Sequence, residues 1–338
     1  MSDSSRFDFS RLRGRNNEGV LLGLIALLLI VIAIITPNAL TWGMFADVIR
    51  GGLVNMALAL GLLMIIISGG IDVSFTAIAI FAGYGTVLAV NALGLGTFWI
   101  PFLVAIIVGA LLGTVNAVLV AGCRLPTLIA TLGTQGIIRG ALLAFVGSAY
   151  LSTLPTSLTE LGAARLLTLD DSAVSVLVIP VVVLAILLAL VLKFTMFGRS
   201  VYALGGSMES AKRAGIRVAR VQTLIYVMAG GLAGFAGMTH VTLSGHASPF
   251  ELVGTELNVI AAVVIGGASD QGGRGSVGGT ALGVILISLI QSSLVRLGVP
   301  GFWHEGAIGL MILLGVAIQA QLQRSRQTRT AILEGAVA

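Results

Sequence analysis

Long apolar runs, broken at short intervals by glycine, proline or charge, fill the chain from residue 20 onward. A bilayer core needs about 20 predominantly apolar residues in helical form to cross it. Runs approaching that length fall at 20–35, 48–68, 75–90, 98–121, 127–146, 173–192, 222–242, 277–297 and 307–319. A tenth, 257–267, is too short to cross alone and reads as half of a broken helix or as one that borrows length from the residues before it. The pattern predicts an all-α fold: a polytopic membrane protein of about ten transmembrane helices over residues 20–321, with a segment 1–19 before it and a tail 322–338 after it. Two interruptions are much longer than the rest. Residues 147–172, rich in Ser, Thr and Leu, predict a small helix or lid on one side, and 193–221 form a polar segment on the other.

Of the 338 residues, 57% are hydrophobic and only 10% charged, against about 25% charge in a soluble domain. A soluble globular enzyme is excluded. The single cysteine, Cys123, cannot form an intrachain disulfide and has no ligand-spaced neighbours, so disulfide scaffolds and metal sites drop out.

The net charge of +5 comes from basic residues scattered through interruptions in apolar sequence, which argues for a membrane and against nucleic acid. With the N-terminus in the cytoplasm, Arg6, Arg11, Arg13, Arg15, Arg124, the six basic residues from Lys193 to Arg220, Arg274, Arg324, Arg326 and Arg329 all fall inside. These are fifteen of the nineteen Lys and Arg residues. The opposite side collects Asp47, Glu160, Asp170, Asp171, Glu251, Glu256 and Glu305, against Arg50 and Arg165, while Arg139 and Arg296 lie within spans. This asymmetry predicts an even number of spans with both termini cytoplasmic.

Covalent chemistry finds no residues to carry it. Neither lysine, Lys193 or Lys212, lies in a phosphate-cradling G-x-x-x-x-G-K-[ST] loop, so the chain has no ATPase site of that kind. His240, His246 and His304 fall near external ends without a carboxylate or cysteine at ligand spacing, and read as interfacial polar residues. No nucleophile elbow occurs. No catalytic residue and no metal ligand is assigned.

Polar groups inside the spans are more informative, because an ion at the bilayer centre costs about 2.5–3.5 kcal/mol on insertion scales. Asp72, Asn116, Thr131, Thr134, Gln135, Arg139 and Asn258 are the candidates for a solute pathway. Each also has a plainer reading. Asp72 can cap the helix that follows it, Arg139 can clamp helices through a helix-end carbonyl or an acid on another span, and the asparagines can bond between helices. The glycine-rich stretch 266–283 reads as tight helix packing and a turn.

Residues 193–221 carry six basic residues and one acid. Ser207 can cap a short helix in which Glu209 and Arg213 form an i, i+4 pair, and Gly215 can end it in the left-handed conformation. The plain alternative is an ordinary positive-inside loop.

The segment GRSVYALGGSMESAKRAGI, 198–216, resembles the cytoplasmic coupling region of permease subunits from ATP-binding-cassette importers of sugars, a group that includes ribose, galactose, arabinose, rhamnose and autoinducer-2 systems. SGGIDVS at 68–74, RLPTLIATLGTQGIIRG at 124–140, GGLAGFAGM at 230–238 and ELNVIAAVVIGGASDQGGRGSVGGTALG at 256–283 resemble the same family, in order along the chain. It departs from the pattern at Phe75 and Thr76, where many relatives carry a small residue and glycine. The resemblance implies a bacterial inner-membrane permease that imports a monosaccharide or related sugar-like solute, with its pathway at or near a dimer axis. It implies as partners a second permease copy or a sister permease, two cytoplasmic ATPase subunits, an extracytoplasmic solute-binding protein and membrane lipid. ATP would be used by the partner subunits, with no cofactor in this chain. Gly198, Arg199, Gly205, Glu209, Arg213 and Gly215 would make the ATPase contact. The alternatives are a branched-chain amino acid importer of the same kind and an ion-coupled secondary transporter. The last expects acids embedded in the membrane, for which Asp72 is the one candidate in sequence.

Overall fold

The computed structural model describes residues 18–300, apart from 37–39, 95, 170 and 171, and a few isolated positions beyond 300. Helix α1 (Glu18–Ile35) is followed by α2 (Trp42–Ile67), α3 (Phe75–Leu93), α4 (Trp99–Ala117), a π-helical turn (Val118–Gly122) and α5 (Thr127–Val146). A short α6 (Thr156–Ala163) and strands β1 (Arg165–Leu169) and β2 (Ser172–Ser175) lead to α7 (Val178–Phe194), α8 (Met196–Gly206), α9 (Met208–Arg213), α10 (Val218–Ser244), α11 (Glu256–Ile265) and α12 (Val277–Arg296). Among the described residues seven helices are long and apolar enough to cross a membrane, or eight if α7 and α8, bent by 73° at Thr195, count as one. The chain is therefore a multi-pass helical membrane protein. The described residues stop short of ten spans, and the expected span 307–319 lies largely outside them.

Local chemistry sets the ends. Thr41 accepts a hydrogen bond from the Met44 amide and starts α2, and Ser276 accepts one from the Gly279 amide to start α12. Gly94 and Gly245 close α3 and α10 in the left-handed conformation.

The segment 147–172 contains the expected small helix and the first strand of a two-stranded hairpin that ends at Ser175, a small addition to an otherwise all-α membrane fold. Strands β1 and β2 pair antiparallel, with Leu167 opposite Val174. The expected helix 173–192 accordingly begins as β2 and becomes helical only at Val178. Two serines flank the short Ala173–Val174 pair, and Val174 alone is buried, an alternation that suits a strand and leaves no apolar stripe for a helix.

The core lies around α10, which α4, α3 and α2 contact most extensively. Small residues make this approach possible: a Cβ on Gly234 would collide with the Ala105 carbonyl on α4, and one on Gly237 with the Ala79 carbonyl on α3. The bundle has two distinct ends. Trp42 Nε1 donates to Ser172 O at 3.1 Å, and Arg296 pairs with Asp47 at 2.6 Å, joining the starts and ends of spans at the hairpin end. Ile67, Gly205 and Gly273 meet at the opposite end, beside α8 and α9.

Candidate functional site

A buried polar cluster lies between α3, α5 and α11. Glu256, the first residue of α11, is buried, and its Oε1 accepts hydrogen bonds from Thr76 Oγ1 on α3 at 2.6 Å and from Gln135 Nε2 on α5 at 2.9 Å. Arg139 Nη2, one turn beyond Gln135, forms an ion pair with the same oxygen. Its depth follows from helix rise. Gln135 and Arg139 lie eight and twelve residues into α5, roughly 12 and 18 Å from its start. The ten residues of α11 run about 15 Å from Glu256 to the α8–α9 end. The cluster is thus near the middle of the bundle. Glu256 Oε2 receives no hydrogen bond from a described residue, and Arg139 Nε is buried without a partner.

This arrangement corrects one sequence reading and completes another. Charge alternation assigned Glu256 to the external side, whereas it turns inward as the carboxylate that Arg139 requires on another element. A second acid therefore joins Asp72 inside the protein. Glu256 is charge-paired from the outset, unlike the free acid that ion coupling expects. Thr76, where the sequence departs from its resembling family, is one of the hydrogen-bond donors.

Asp72, Thr131 and Asn116 form a second polar group one level nearer the α8–α9 end. The stretch Ile71–Val73 runs outside any helix beside α5: the Ile71 amide donates to Thr127 Oγ1 at 3.1 Å and the Val73 amide to Thr131 Oγ1 at 3.4 Å. Asp72 is fully buried, and Oδ1 accepts from the Ser74 amide at 2.6 Å and the Ser74 hydroxyl at 2.7 Å. Asn116 Nδ2 donates to the same Ser74 hydroxyl at 2.8 Å. Asp72 therefore folds the turn ahead of α3. The sequence reading let it cap the helix that follows; its bonds fall within the turn just ahead of that helix, and among the described residues no cation pairs with it. Thr134 bonds back to the Thr131 carbonyl, and Asn258 lies half-buried one residue past Leu257 and outside both groups.

The short helix expected in 193–221 is present. Ser207 Oγ accepts from the Ser210 amide at 3.2 Å, Glu209 and Arg213 pair at 3.4 Å, and Gly215 has φ +82°. Preceding it, α8 carries Gly198 and Gly205. A Cβ on Gly205 would strike the Ile67 carbonyl, which itself accepts from the Gly273 amide at 2.8 Å. Tyr202 on α8 donates to the Gly275 carbonyl at 2.9 Å. Helix α8 thus touches the turn that leads to Asp72 and Thr76 and also the turn that follows α11. Gly198 packs against the backbone of Leu192 across the bend, and Arg199, Glu209 and Arg213 are exposed.

At the hairpin end a histidine pair shares Glu251. His240 Nε2 lies 2.7 Å from Glu251 Oε2, and His246 Nε2 lies 2.5 Å from Oε1. The other nitrogen of His246 faces the Ser244 carbonyl at 3.0 Å, and its ring stacks on Tyr150 with centroids 4.5 Å apart. The carboxylate partner missing from the local sequence pattern is thus supplied by a loop folding back. Burial works to raise the Glu251 carboxyl, but the hydrogen bonds from His246 and His240 outweigh it and hold the group below the usual glutamate range. His304 lies outside the described residues.

Residues 44–316 match the sequence family described as "Branched-chain amino acid transport system / permease component". The chain is 32% identical to the autoinducer 2 import system permease protein LsrC of Salmonella typhi, covering 93% of this chain and 91% of the relative. It is 33% identical to the protein of that name from Yersinia enterocolitica, covering 90% and 82%. No solved structure matches it.

Proposed function

This chain belongs to the transport-system permease-component family that its sequence matches over residues 44–316, and from that membership we propose that it is the membrane-spanning subunit of an ATP-binding-cassette importer carrying a monosaccharide or a related sugar-like solute into the cytoplasm. The observation that carries this reading is the 32–33% identity, over nearly the whole of both chains, to permeases named for autoinducer 2 import. The polar cluster supports a polyhydroxyl solute over a branched-chain amino acid. Glu256 Oε2 offers a free acceptor beside Gln135 and Arg139, groups suited to hydroxyls.

The pathway would follow the open face of α5. Leu132 and Ile137 are exposed there, Gly133, Gly136 and Gly140 leave open space, and Arg139 and Gln135 are half-buried beside them. A charge facing lipid at that depth costs about 2.5–3.5 kcal/mol, so this face suits water and a second permease, identical or sister. An extracytoplasmic binding protein would deliver solute at the hairpin end. Two cytoplasmic ATPase subunits would hold α8 and α9, with contacts from Glu209, Arg213 and Gly215, while Gly205 packs α8 against the bundle. The chain contributes no cofactor and no covalent chemistry of its own.

Mechanical transmission follows from the contacts of α8. A displacement of α8 moves the Ile67–Ser74 turn, two residues before Thr76, and the Gly272–Gly275 turn, which continues α11. Both routes end on the Oε1 atom of Glu256, while Arg139 stays on α5. Movement of the ATPase pair would therefore loosen Glu256 from Arg139 and open the polar level to solute.

The test is solute uptake into vesicles holding the full assembly, with ribose, autoinducer 2 and leucine compared. ATP-dependent uptake of a sugar-like solute is expected. Uptake driven by a pH or Na⁺ gradient without ATP would sink the proposal, and ATP-driven uptake of leucine alone would return the amino acid reading.

A further inference from the structure

A cavity of about 550 Å³ opens at the α8–α9 end, between the start of α1, the end of α7, α8 and the start of α12. Its walls divide by chemistry. Lys193 and Arg199 supply two cations, Glu18 and Ser276 are polar, and Ala189, Leu192 and Val277 are apolar. Neither cation is in an ion pair with a described residue. Lys193 Nζ lies 5.1 Å from the Phe194 ring centroid, and Arg199 Nη2 rests 2.7 Å from Met196 Sδ, a weak acceptor. Glu18, the one acid in the wall, accepts from Ser276 Oγ at 3.0 Å.

We propose that this cavity binds an anionic phospholipid, its phosphate between Lys193 and Arg199 and an acyl chain along α7. The bend at Thr195 sets both cations where a span ends and α8 turns aside, the level at which headgroups lie. From that level an exposed stripe of Val182, Ile186, Leu190 and Phe194 descends along α7, with i, i+4 spacing that suits an extended hydrocarbon chain. A soluble phosphate would use the two cations and leave the apolar wall and this stripe without a role. Basic pockets between helices on the cytoplasmic side are suited to anionic headgroups, each cation near the surface strengthening binding severalfold. The lipid would span α7, α8 and α12, so it bears on the helix that touches both turns below Glu256.

The test is native mass spectrometry of the delipidated full-length chain, titrated separately with phosphatidylglycerol and phosphatidylcholine. One phosphatidylglycerol should bind at least tenfold more tightly than phosphatidylcholine. Lys193→Gln with Arg199→Gln should bring that ratio to about two, while Arg217→Gln with Arg220→Gln, which removes the same charge from the same cytoplasmic stretch, should preserve it. Equal affinity of the wild-type chain for the two lipids overturns the proposal without reliance on any variant. So does an equal loss in both double variants, or displacement of the lipid by low-millimolar glycerol 1-phosphate, which would make the ligand a soluble phosphate.

Discussion

Arg139 and Glu256 stand 117 positions apart, and neither is stable in the bilayer interior without the other. Removing one partner of a buried pair leaves an uncompensated charge, whereas replacing both by apolar groups removes the desolvation penalty as well. Arg139→Met should therefore destabilise the chain by about 2 kcal/mol, discounted for the partial exposure of the arginine. Arg139→Met combined with Glu256→Met should recover most of that loss in a thermal melt and still abolish uptake. Recovery of uptake in the double variant would make the pair a structural clamp alone. Glu251 allows a test by pH. Its carboxyl is held below the glutamate range, so the anion's contribution is present above the ordinary glutamate value and lost as pH falls through the lowered one. The protection factors of backbone amides in 245–255, measured by hydrogen exchange and corrected for the intrinsic rate at each pH, should hold down to the ordinary glutamate value of about 4.3 and fall as pH drops further, a fall that Glu251→Gln should remove. The sequence exposed Arg139 as an anomaly because a charge within an apolar run is a local signal. Glu256 gave no such signal: it stands at the boundary between a polar loop and a short run, where an acid looks external. Only the return of 245–255 into the bundle makes it internal.

At the level of elements, α8 and α9 separate packing from partner contact. Gly205 has backbone on both sides, so Gly205→Val must push α8 away from Ile67 and Gly273. The expected result is loss of solute uptake with the ATPase subunits still bound and hydrolysing, measured as the ratio of solute moved to ATP consumed. Glu209 and Arg213 are a different case. Both are largely exposed, and an exposed i, i+4 pair contributes about 0.3–0.5 kcal/mol. Glu209→Gln should leave the melting temperature within about 1 °C of wild type and weaken co-purification of the ATPase subunit severalfold; unchanged co-purification would remove Glu209 from the interface. Of these two short helices α9 was legible because its signals are local: a serine cap, an i, i+4 pair and a glycine stop lie within nine residues, whereas α8 ahead of that cap was read only as polar segment. The β1–β2 hairpin was not, since β1 is exposed along its whole length and β2 adjoins an apolar helix that hides where the strand ends. The close packing of α10 on α3 and α4 was legible only as a glycine-rich run; which carbonyl each glycine approaches is decided by the other helices.

Across the whole molecule, the proposal needs the two ends of the bundle to face different compartments, with α8 and α9 toward the ATPase subunits and the hairpin toward the binding protein. The spans themselves were largely readable as apolar runs, but the side each loop occupies rests on the distribution of Lys and Arg, an argument about insertion that packing leaves untouched. Cys123 provides a direct measurement. It is the sole cysteine, it is exposed, and it lies between the π-helical turn after α4 and the start of α5, at the α8–α9 end. Ser148 lies just past the other end of α5 and is exposed as well. If α5 crosses the bilayer, the two positions must be on opposite sides. A membrane-impermeant maleimide should leave Cys123 unmodified in intact spheroplasts and modify it in inside-out vesicles. Ser148→Cys, in a Cys123→Ser background, should show the reverse. Modification of both positions from one side would make α5 a re-entrant element, and exchange of the two patterns would invert the assembly, putting Lys193, Arg199 and Glu209 where no ATPase or cytoplasmic-leaflet lipid could meet them.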